Sequence, residues 1–498
     1  MAQSADGSRR YLAYVKETTA GETPASPSLQ AIRVTGGDSI NNARSNITSD
    51  EIRNDRQIIV SRLGQNQPEV SAPFELSFES FDEFISGAMG NTWTGDYDLN
   101  TVTVDITGAT FTHDGGTNWD TLGVKAGDMI VVTGLTTSAE DGVYYIQSVV
   151  TTVLTLRQAD KTTAAAFTAS TDDAVRIVGG FNGGRIDASS NNLTVSATNK
   201  TITAASDAGW HDTYRLSEGD SVYFAGFTNS GNNGWHMITA VNTEDTVLTF
   251  ANSTLTNETL STGNLDFSTS SAFLTTGVTL PTYTIEEGFQ DVNEYHRMTG
   301  VKITTMTMSM QPDAIITGEF ALTGQKYYPF SDRWQTPDTP GTGTSIGTLV
   351  DANAEQVFDS YTGSLILDGD DLSASDDILI TGIDFTLENG VDRRFAILDR
   401  DAKSLSQGRI TCTGTVSAFF PNATLANKFD TEDIFEIRVR LEDLDDNSYL
   451  FGWPNSKFTS ETKTISETDV TESLDIAMLG GDTYYNTMYV KKQPKTTA

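Results

Sequence analysis

The sequence predicts an all-β protein, and three observations carry that reading. The chain is rich in Thr, Ser, Asn, Asp and Gly, a mix that favours strands and turns over helices. Segment after segment alternates apolar and polar residues with the two-residue period of a half-buried strand. A long β-like unit occurs twice, once from Asp120 and again from Asp212. With 498 residues, 37% hydrophobic content, 24 Phe, 16 Tyr and 6 Trp, the chain has material for real cores and a length typical of about three domains.

The first elements in order are strand-like "AIRVTGG" and "QIIVSRLG", which flank "SDEIRNDR". That stretch packs Asp50, Glu51, Arg53, Asp55 and Arg56 together, with Arg62 just beyond. Opposite charges at such close spacing suit a solvated loop or an intersubunit strap in which arginine forks pair with carboxylates on a neighbour. Next, "APFELSFES" alternates Phe74, Leu76 and Phe78. "SFDEFISGAM" then sets Phe81, Phe84, Ile85 and Ala88 on one helical face, with Ser80 and Glu83 spaced as a capping box.

The repeat follows. Asp120, Thr121, Gly127, Asp128, Gly134, Gly142, Ile146 and Val149 return 92 residues later as Asp212, Thr213, Gly219, Asp220, Gly226, Gly234, Ile238 and Val241. "GD" turns the chain into a short apolar strand that Gly134 or Gly226 ends, and "VVTTVLTL" and "VNTEDTVLTF" read as hairpin arms. Two copies are too few for a solenoid. They predict two small β-domains, 95–187 and 188–276, strung as beads and joined through the glycine-rich "VGGFNGGR". The flanks, 1–94 and 277–498, then form one split domain interrupted at a loop, where insertions are best tolerated. The later flank reads as alternating strands: "VKITTMTMSM", "ILITGIDFTLEN", "GRITCTGTVSAFF" and "IFEIRVRLED" with "SYLFGW". Around "TTMT" the apolar phase slips by one residue, which predicts a β-bulge.

A net charge of −35 argues against a conventional nucleic-acid binder, which needs clustered Lys and Arg, and against an anionic membrane surface. It suits a soluble surface, or one that must not stick to a passing polyanion. Acidic residues outnumber basic ones in the repeats and the flanks alike. The N-terminus has no apolar signal core and no stretch is long enough to span a bilayer, so the expectation is a chain made and folded in a cytoplasm.

Chemistry finds little purchase. Cys412 shares an alternating face with Ile410, Val416 and Phe420 and reads as a buried apolar residue. His113, His211, His236 and His296 are scattered without zinc spacing. No P-loop, nucleophile elbow or dinucleotide fingerprint occurs. The acidic runs at Asp368–Asp377 and at Glu442, Asp443, Asp445 and Asp446 lack the glycine and terminal glutamate of an EF-hand loop, and the second fits a hairpin turn. The expectation is no catalytic residue, no cofactor and no metal: not an enzyme.

"TPASPSLQAIRVTGG", "ITSDEIRNDRQ", "RLG" and "FELSFESFDEFISGAM", resumed after the repeats by "YTIEEGFQDVNEYHRMTGVKITTMTMSMQPDAIITGEFALTGQ", "GRITCTGTVSAFFPNATLANKF" and "VRLEDLDDNSYLFGWPNSKF", resemble the tail tube (major tail) proteins of long-tailed bacteriophages. The resemblance covers about two-thirds of the chain, in segments whose order and combination are specific although no single motif is. It implies a β-sandwich core with one flanking helix, six copies of which close a ring and contribute strands to a shared β-barrel. Rings stack into a hollow tube that conducts DNA. Asp50, Glu51, Arg53, Asp55, Arg56 and Arg62 become subunit-interface residues. The implied partners are further copies of the chain and the tape-measure, terminator and distal tail proteins, with DNA passing through the lumen unbound and no membrane. The implied location is the virion tail, assembled in the host cytoplasm. The inserted domains are expected to decorate the outer wall, with weak host-surface contact. Two other readings stand beside this one. One is a β-repeat surface adhesin or carbohydrate-binding protein using Trp119, Trp210 and Trp235. The other is a hydrolase hidden in the polar loops.

Overall fold

The computed structural model describes residues 5–494 apart from 26, 38, 53, 55–56, 58–60, 181, 212, 243, 252–253, 331–348, 368–369, 372–378, 421–423 and 482–485. The flanking segments build one core. Its main sheet is antiparallel throughout and runs, strand by strand, through Asn41–Thr48, Ser61–Glu75, Thr317–Thr323, Glu294–Met310, Ile380–Glu388, Thr411–Phe419, Val470–Met478 and Ser448–Ile465. Alternation decides which face is inside. Phe74, Phe320, Met306, Met308, Phe385, Leu387, Cys412, Val416, Leu474 and Ile476 are buried in a common core, while the residues between them point the other way.

Two of these strands are unusually long and leave the sheet at one end to begin other pairings. The first half of Glu294–Met310 pairs with Tyr283–Phe289 and Lys326–Phe330, and Arg10–Lys16 adds to Tyr283–Phe289. The first half of Ser448–Ile465 pairs with Phe435–Glu442 and with Tyr489–Gln493, which in turn holds Ala272–Thr275. The register slips at Thr304, between Ile303 and Thr305, where the apolar phase of the sequence also slips; such bulges bend a strand out of its sheet. The second layer faces the first across the core, with Phe385 against Phe451 and edge-on to Trp453.

The helix Asp82–Met89 buries Phe84, Ile85, Ala88 and Met89, with Phe84 stacked on Tyr283, and ends at Gly90 with a φ of 68°, a left-handed cap that glycine adopts without strain. The capping box expected from Ser80 and Glu83 is not formed. The helix starts at Asp82, its N-cap residue is Phe81, and no side chain caps it. The Ser80 hydroxyl is taken by Ser77 and Asn353, and Glu83 accepts from Tyr283 and pairs with Lys16 at 2.8 Å.

The first repeat is a closed six-stranded barrel of Asp98–Gly108, Thr110–His113, Val153–Gln158, Gly142–Val150, Met129–Thr133 and Phe167–Gly180. The second follows the same circuit with both closing strands broken. Gly183–Asp187 and Leu193–Ser196 stand for the first strand, and Glu258–Leu260 and Asn264–Thr269 for the last. Gly127 and Gly219 have φ of 103° and 85°, and Gly134 and Gly226 of 85° and 117°, values that explain why glycine recurs at those turns. Trp119 and Trp210 are fully buried, one in each barrel core.

The barrels are not loose beads. Met129, Val131, Val143, Ala159 and Val178 of the first form an apolar patch against Tyr223 and Trp235 of the second, and Arg185 bridges to Asp160 at 3.2 Å. Most of "VGGFNGGR" is strand rather than linker, and its glycines are where backbones touch. A Cβ on Gly180 would lie 1.8 Å from the Thr269 carbonyl oxygen, and one on Gly183 would lie 2.3 Å from that of Phe267. Gly180→Ala is therefore expected to lower the free energy of unfolding by about 1–3 kcal/mol through overpacking, read by urea denaturation.

Candidate assembly surfaces

Four surfaces of the core stand out, and the first carries the charged stretch singled out in the sequence. Asn41–Thr48 and Ser61–Glu75 pair from Asn41 opposite Glu69 out to Thr48 opposite Ser61, and so form a two-stranded arm with Thr48 and Ser61 at its outer end. Almost every residue of Asn41–Thr48 is exposed. Asp50, Glu51 and Arg62 are exposed at or beside the tip, and among the described residues they form no ion pair. Arg53, Asp55 and Arg56 lie outside the described residues. Ile52 at the tip is fully exposed, and Ile47 and Leu63 are largely so.

A second hairpin, Arg393–Phe395 with Ala402–Leu405, is pinned to the root of this arm. Arg393 donates to the Glu69 carboxylate at 2.9 Å and to the Pro68 carbonyl at 2.7 Å, and Asn66 bonds Arg400 and Asp401. Its tip presents Ile397 and Leu398 wholly to solvent, Leu398 with a φ of 71°. Left-handed backbone at a leucine is unusual and costs about 1 kcal/mol or more.

The opposite end of the same strands carries a matching apolar group: Ile315, Tyr361, Leu379, Phe419, Ile465 and Val470. The ladder places them together. Thr317, two residues after Ile315, pairs with Glu75; Phe419 N–H donates to Leu379 O at 2.9 Å; Phe420 N–H donates to Val470 O at 3.0 Å; and Val470 sits opposite Ile465. Exposed apolar side chains thus gather at both ends of the main sheet's strand axis, with others such as Val278 and Leu444 elsewhere.

Between the ends lies the third surface, the outer face of the main sheet. It presents Glu69, Ser71 and Glu75, then Glu319 and Thr317, Thr305, Thr307 and Ser309, Asp384, Thr386 and Glu388, Thr413, Thr415 and Ser417, and Ser473 and Asp475. No Lys, Arg or His occurs in Glu69–Glu75, Thr305–Met310, Thr317–Thr323, Ile380–Glu388, Thr411–Phe419 or Val470–Met478. The alternation of each strand was legible in sequence; that these six segments share one cation-free face was not, because their pairing spans the whole chain.

The fourth surface is the outer face of the second layer, which the second barrel covers. Lys491, buried, donates to Asp220 at 2.8 Å and to the Ser217 hydroxyl at 2.6 Å. Gln493 bonds Ser270, Ser271 and the Ser221 N–H, and His211 lies 3.4 Å from Glu436. Burial dominates at Lys491 and lowers its pKa even though Asp220 opposes the shift. The next residue, Lys492, points the other way. Burial works against its charge, but Asp82 at 2.7 Å, Asp96 at 2.6 Å and Glu79 at 3.3 Å together hold its pKa above the usual value. The short C-terminal strand Tyr489–Gln493 therefore ties the core to the second barrel and to the segment entering the first. Nothing in the sequence reading singled it out.

Several residues considered for chemistry have structural employment, while most of the acidic run Asp368–Asp377 lies outside the described residues. Burial pushes the Cys412 thiol up to about 12, far from a reactive thiolate. His236 packs on Phe224 and Phe250, with burial lowering its pKa. Asp443 accepts from the Asp445 and Asn447 N–H groups in the turn between Phe435–Glu442 and Ser448–Ile465. Among the described residues no three His, Cys, Asp or Glu side chains are grouped to hold a metal ion, and no described helix is long and apolar enough to cross a membrane.

A family model described as phage tail tube protein matches residues 7–207 and 221–478. No curated protein matches the chain. The family match spans most of the core that builds these four surfaces, the whole of the first barrel and all of the second except 208–220, rather than breaking off at the repeats, so the chain belongs to the phage tail tube protein family and its role is structural, in the virion tail.

Proposed function

We propose that the chain assembles as hexameric rings that stack head to tail into the hollow tube through which DNA leaves the virion. The observation that carries this reading is the placement of exposed apolar residues at both ends of the strand axis, Ile47, Ile52, Leu63, Ile397 and Leu398 at one and Ile315, Tyr361, Leu379, Phe419, Ile465 and Val470 at the other. Two different apolar patches at opposite ends make a heterologous contact, which propagates rather than closes. Side by side, the edges of the main sheet, Asn41–Thr48 and the far half of Ser448–Ile465, each pair with one strand among the described residues and offer backbone for closing a ring, and closure removes edges that otherwise aggregate.

The cation-free face is the proposed lumen wall. Glu69, Glu75, Glu319, Asp384, Glu388 and Asp475 repel phosphates, and the threonines and serines between them give a passing duplex no charged partner. The barrels dock on the opposite side of the core, which supports the proposal that the two repeat domains decorate the outer wall, with Gly183–Asp187 counted in the second rather than in 95–187. In this reading Asp50, Glu51, Arg53, Asp55, Arg56 and Arg62 are interface residues: the arm reaches a neighbouring copy, and its charges fix register more than they add affinity. Tape-measure, terminator and distal tail proteins are the proposed heterologous partners. The adhesin reading loses its main support, because Trp119 and Trp210 are fully buried and Trp235 packs between the barrels.

Negative-stain electron microscopy of the purified chain across a concentration series tests the proposal. Hollow tubes or six-fold rings are the expected result. Single particles at every concentration, even after addition of preformed tube fragments as seeds, contradict it.

A further inference from the structure

The far half of Ser448–Ile465 and its partner Val470–Met478 form an edge hairpin whose tip carries Ile465, 80% exposed, and Val470. Just below the tip sits a buried carboxyl group. Glu472 is 1% exposed and points to the core side of the sheet, in line with Leu474 and Ile476. One of its oxygens, Oε1, has no hydrogen-bond partner among the described residues. Its other contact is a second carboxyl, Glu461, on the adjoining strand. Glu461 lies diagonally across the ladder, opposite Leu474, within reach for long side chains.

We propose that Glu461 and Glu472 share a proton, and that this proton decides whether the edge hairpin is held in the form that receives another copy of the chain at this end of the subunit. The inference rests on the stacking reading above. Among the described residues the charged groups facing Glu472 are few. From its own hairpin come Glu461 and Lys463, and Lys463 is already paired with Glu461 at 2.5 Å and lies beneath the Phe420 ring. The strand on the other side, Thr411–Phe419, puts Ala418 opposite Glu472 and has no charged residue. The helix Thr424–Asp430 sends Lys428 over Phe435 instead. With the proton present, Glu472 O–H donates to the Glu461 carboxylate, which Lys463 neutralises. Without it, two carboxylates face each other around one ammonium, one of them buried, and the strands are pushed apart below Ile465 and Val470.

The sign follows from burial and the like charge, which raise the Glu472 pKa to about 7. A carboxyl raised in the folded form stabilises the hairpin at pH below its unfolded value, and the contribution is lost as pH rises through about 7. Glu461, held low mainly by Lys463, is ionised throughout that window.

Two measurements on the full-length chain test this. Infrared difference spectra of the unassembled protein should show a carboxyl group titrating near neutrality that is absent from Glu472→Gln. The critical concentration for polymerisation should rise about tenfold between about pH 6 and about pH 8, following the protonated fraction, while Glu472→Gln, locked in the uncharged form, polymerises equally at both. Absence of such a carboxyl overturns the switch, as does a Glu472→Gln protein that keeps the wild-type pH profile. A titrating carboxyl in a chain that polymerises at no pH overturns the stacking reading and leaves the carboxyl pair standing. Glu461→Gln, which removes the partner without touching the buried residue, should move the Glu472 titration down towards the ordinary carboxylate range.

Discussion

Asp220→Ala is expected to lower the free energy of unfolding by about 3–5 kcal/mol, because it removes the carboxylate bonded directly to a buried ammonium. Lys491 and Asp220 are both almost fully buried in the seam between the core and the second barrel. After the substitution the lysine keeps its hydrogen bonds to the Ser217 hydroxyl and the Arg215 carbonyl but loses the carboxylate bonded to it. Urea denaturation measures the loss, and limited proteolysis should show the second barrel released from the core first. The pair rather than the residue is at issue, so a second change discriminates. Lys491→Met in the Asp220→Ala background removes the stranded charge and should recover most of the lost stability, since an apolar replacement of a whole buried ion pair is often close to neutral. If the double variant is no better than Asp220→Ala alone, the seam is held by something other than this pair.

The equivalent position in the first repeat sharpens the point. Asp128 occupies the same turn but accepts from Tyr97 O–H and Lys125 N–H, each at 3.0 Å, within its own barrel and its entering segment. Asp128→Ala strands no charge, and its cost should stay near the 1–3 kcal/mol of an unsatisfied buried donor. The repeated "GD" was legible in sequence because its glycine must take a positive φ at Gly127 and Gly219. The different employment of the two aspartates was not, since it is set by Lys491, which lies 271 residues from Asp220.

The same division runs through the rest of the molecule. The strands, the slip at Thr304, the buried Cys412 and the helix face of Phe84, Ile85 and Ala88 follow from local alternation and volume, which sequence displays directly. The capping box failed because Ser80 has a stronger claim from Ser77 and Asn353, and the latter lies far along the chain. Of the candidate interface residues, the charge pattern alone placed Asp50, Glu51 and Arg62 on an exposed segment. Only the pairing of Asn41–Thr48 with Ser61–Glu75 shows that this segment ends an arm. The apolar ends and the cation-free face were invisible for the same reason: each is assembled from strands whose pairings join distant parts of the chain.

Ile397→Asp with Leu398→Asp should abolish tube formation while leaving the subunit folded. Both side chains are fully exposed at a hairpin tip, so they contribute almost nothing to the monomer, and the left-handed backbone at position 398 accepts aspartate more readily than leucine. In a stacked ring each leucine or isoleucine buried against the next ring contributes about 1.5–3 kcal/mol, and an unpaired carboxylate forced into that contact costs several kcal/mol more. The penalty is incurred at every subunit of a ring at once, so even a few kcal/mol per contact, at tenfold in affinity for each 1.4 kcal/mol, removes ring-on-ring association altogether. Rings that close side by side use the sheet edges instead and should survive as isolated hexamers. Unfolding transitions matching wild type, six-fold rings in electron micrographs and no tubes would together assign this hairpin to the stacking contact. Tubes of normal length from the double variant would show that the apolar tip faces solvent in the assembled tail, and the head-to-tail contact would have to be sought in the arm that carries Asp50 and Arg62.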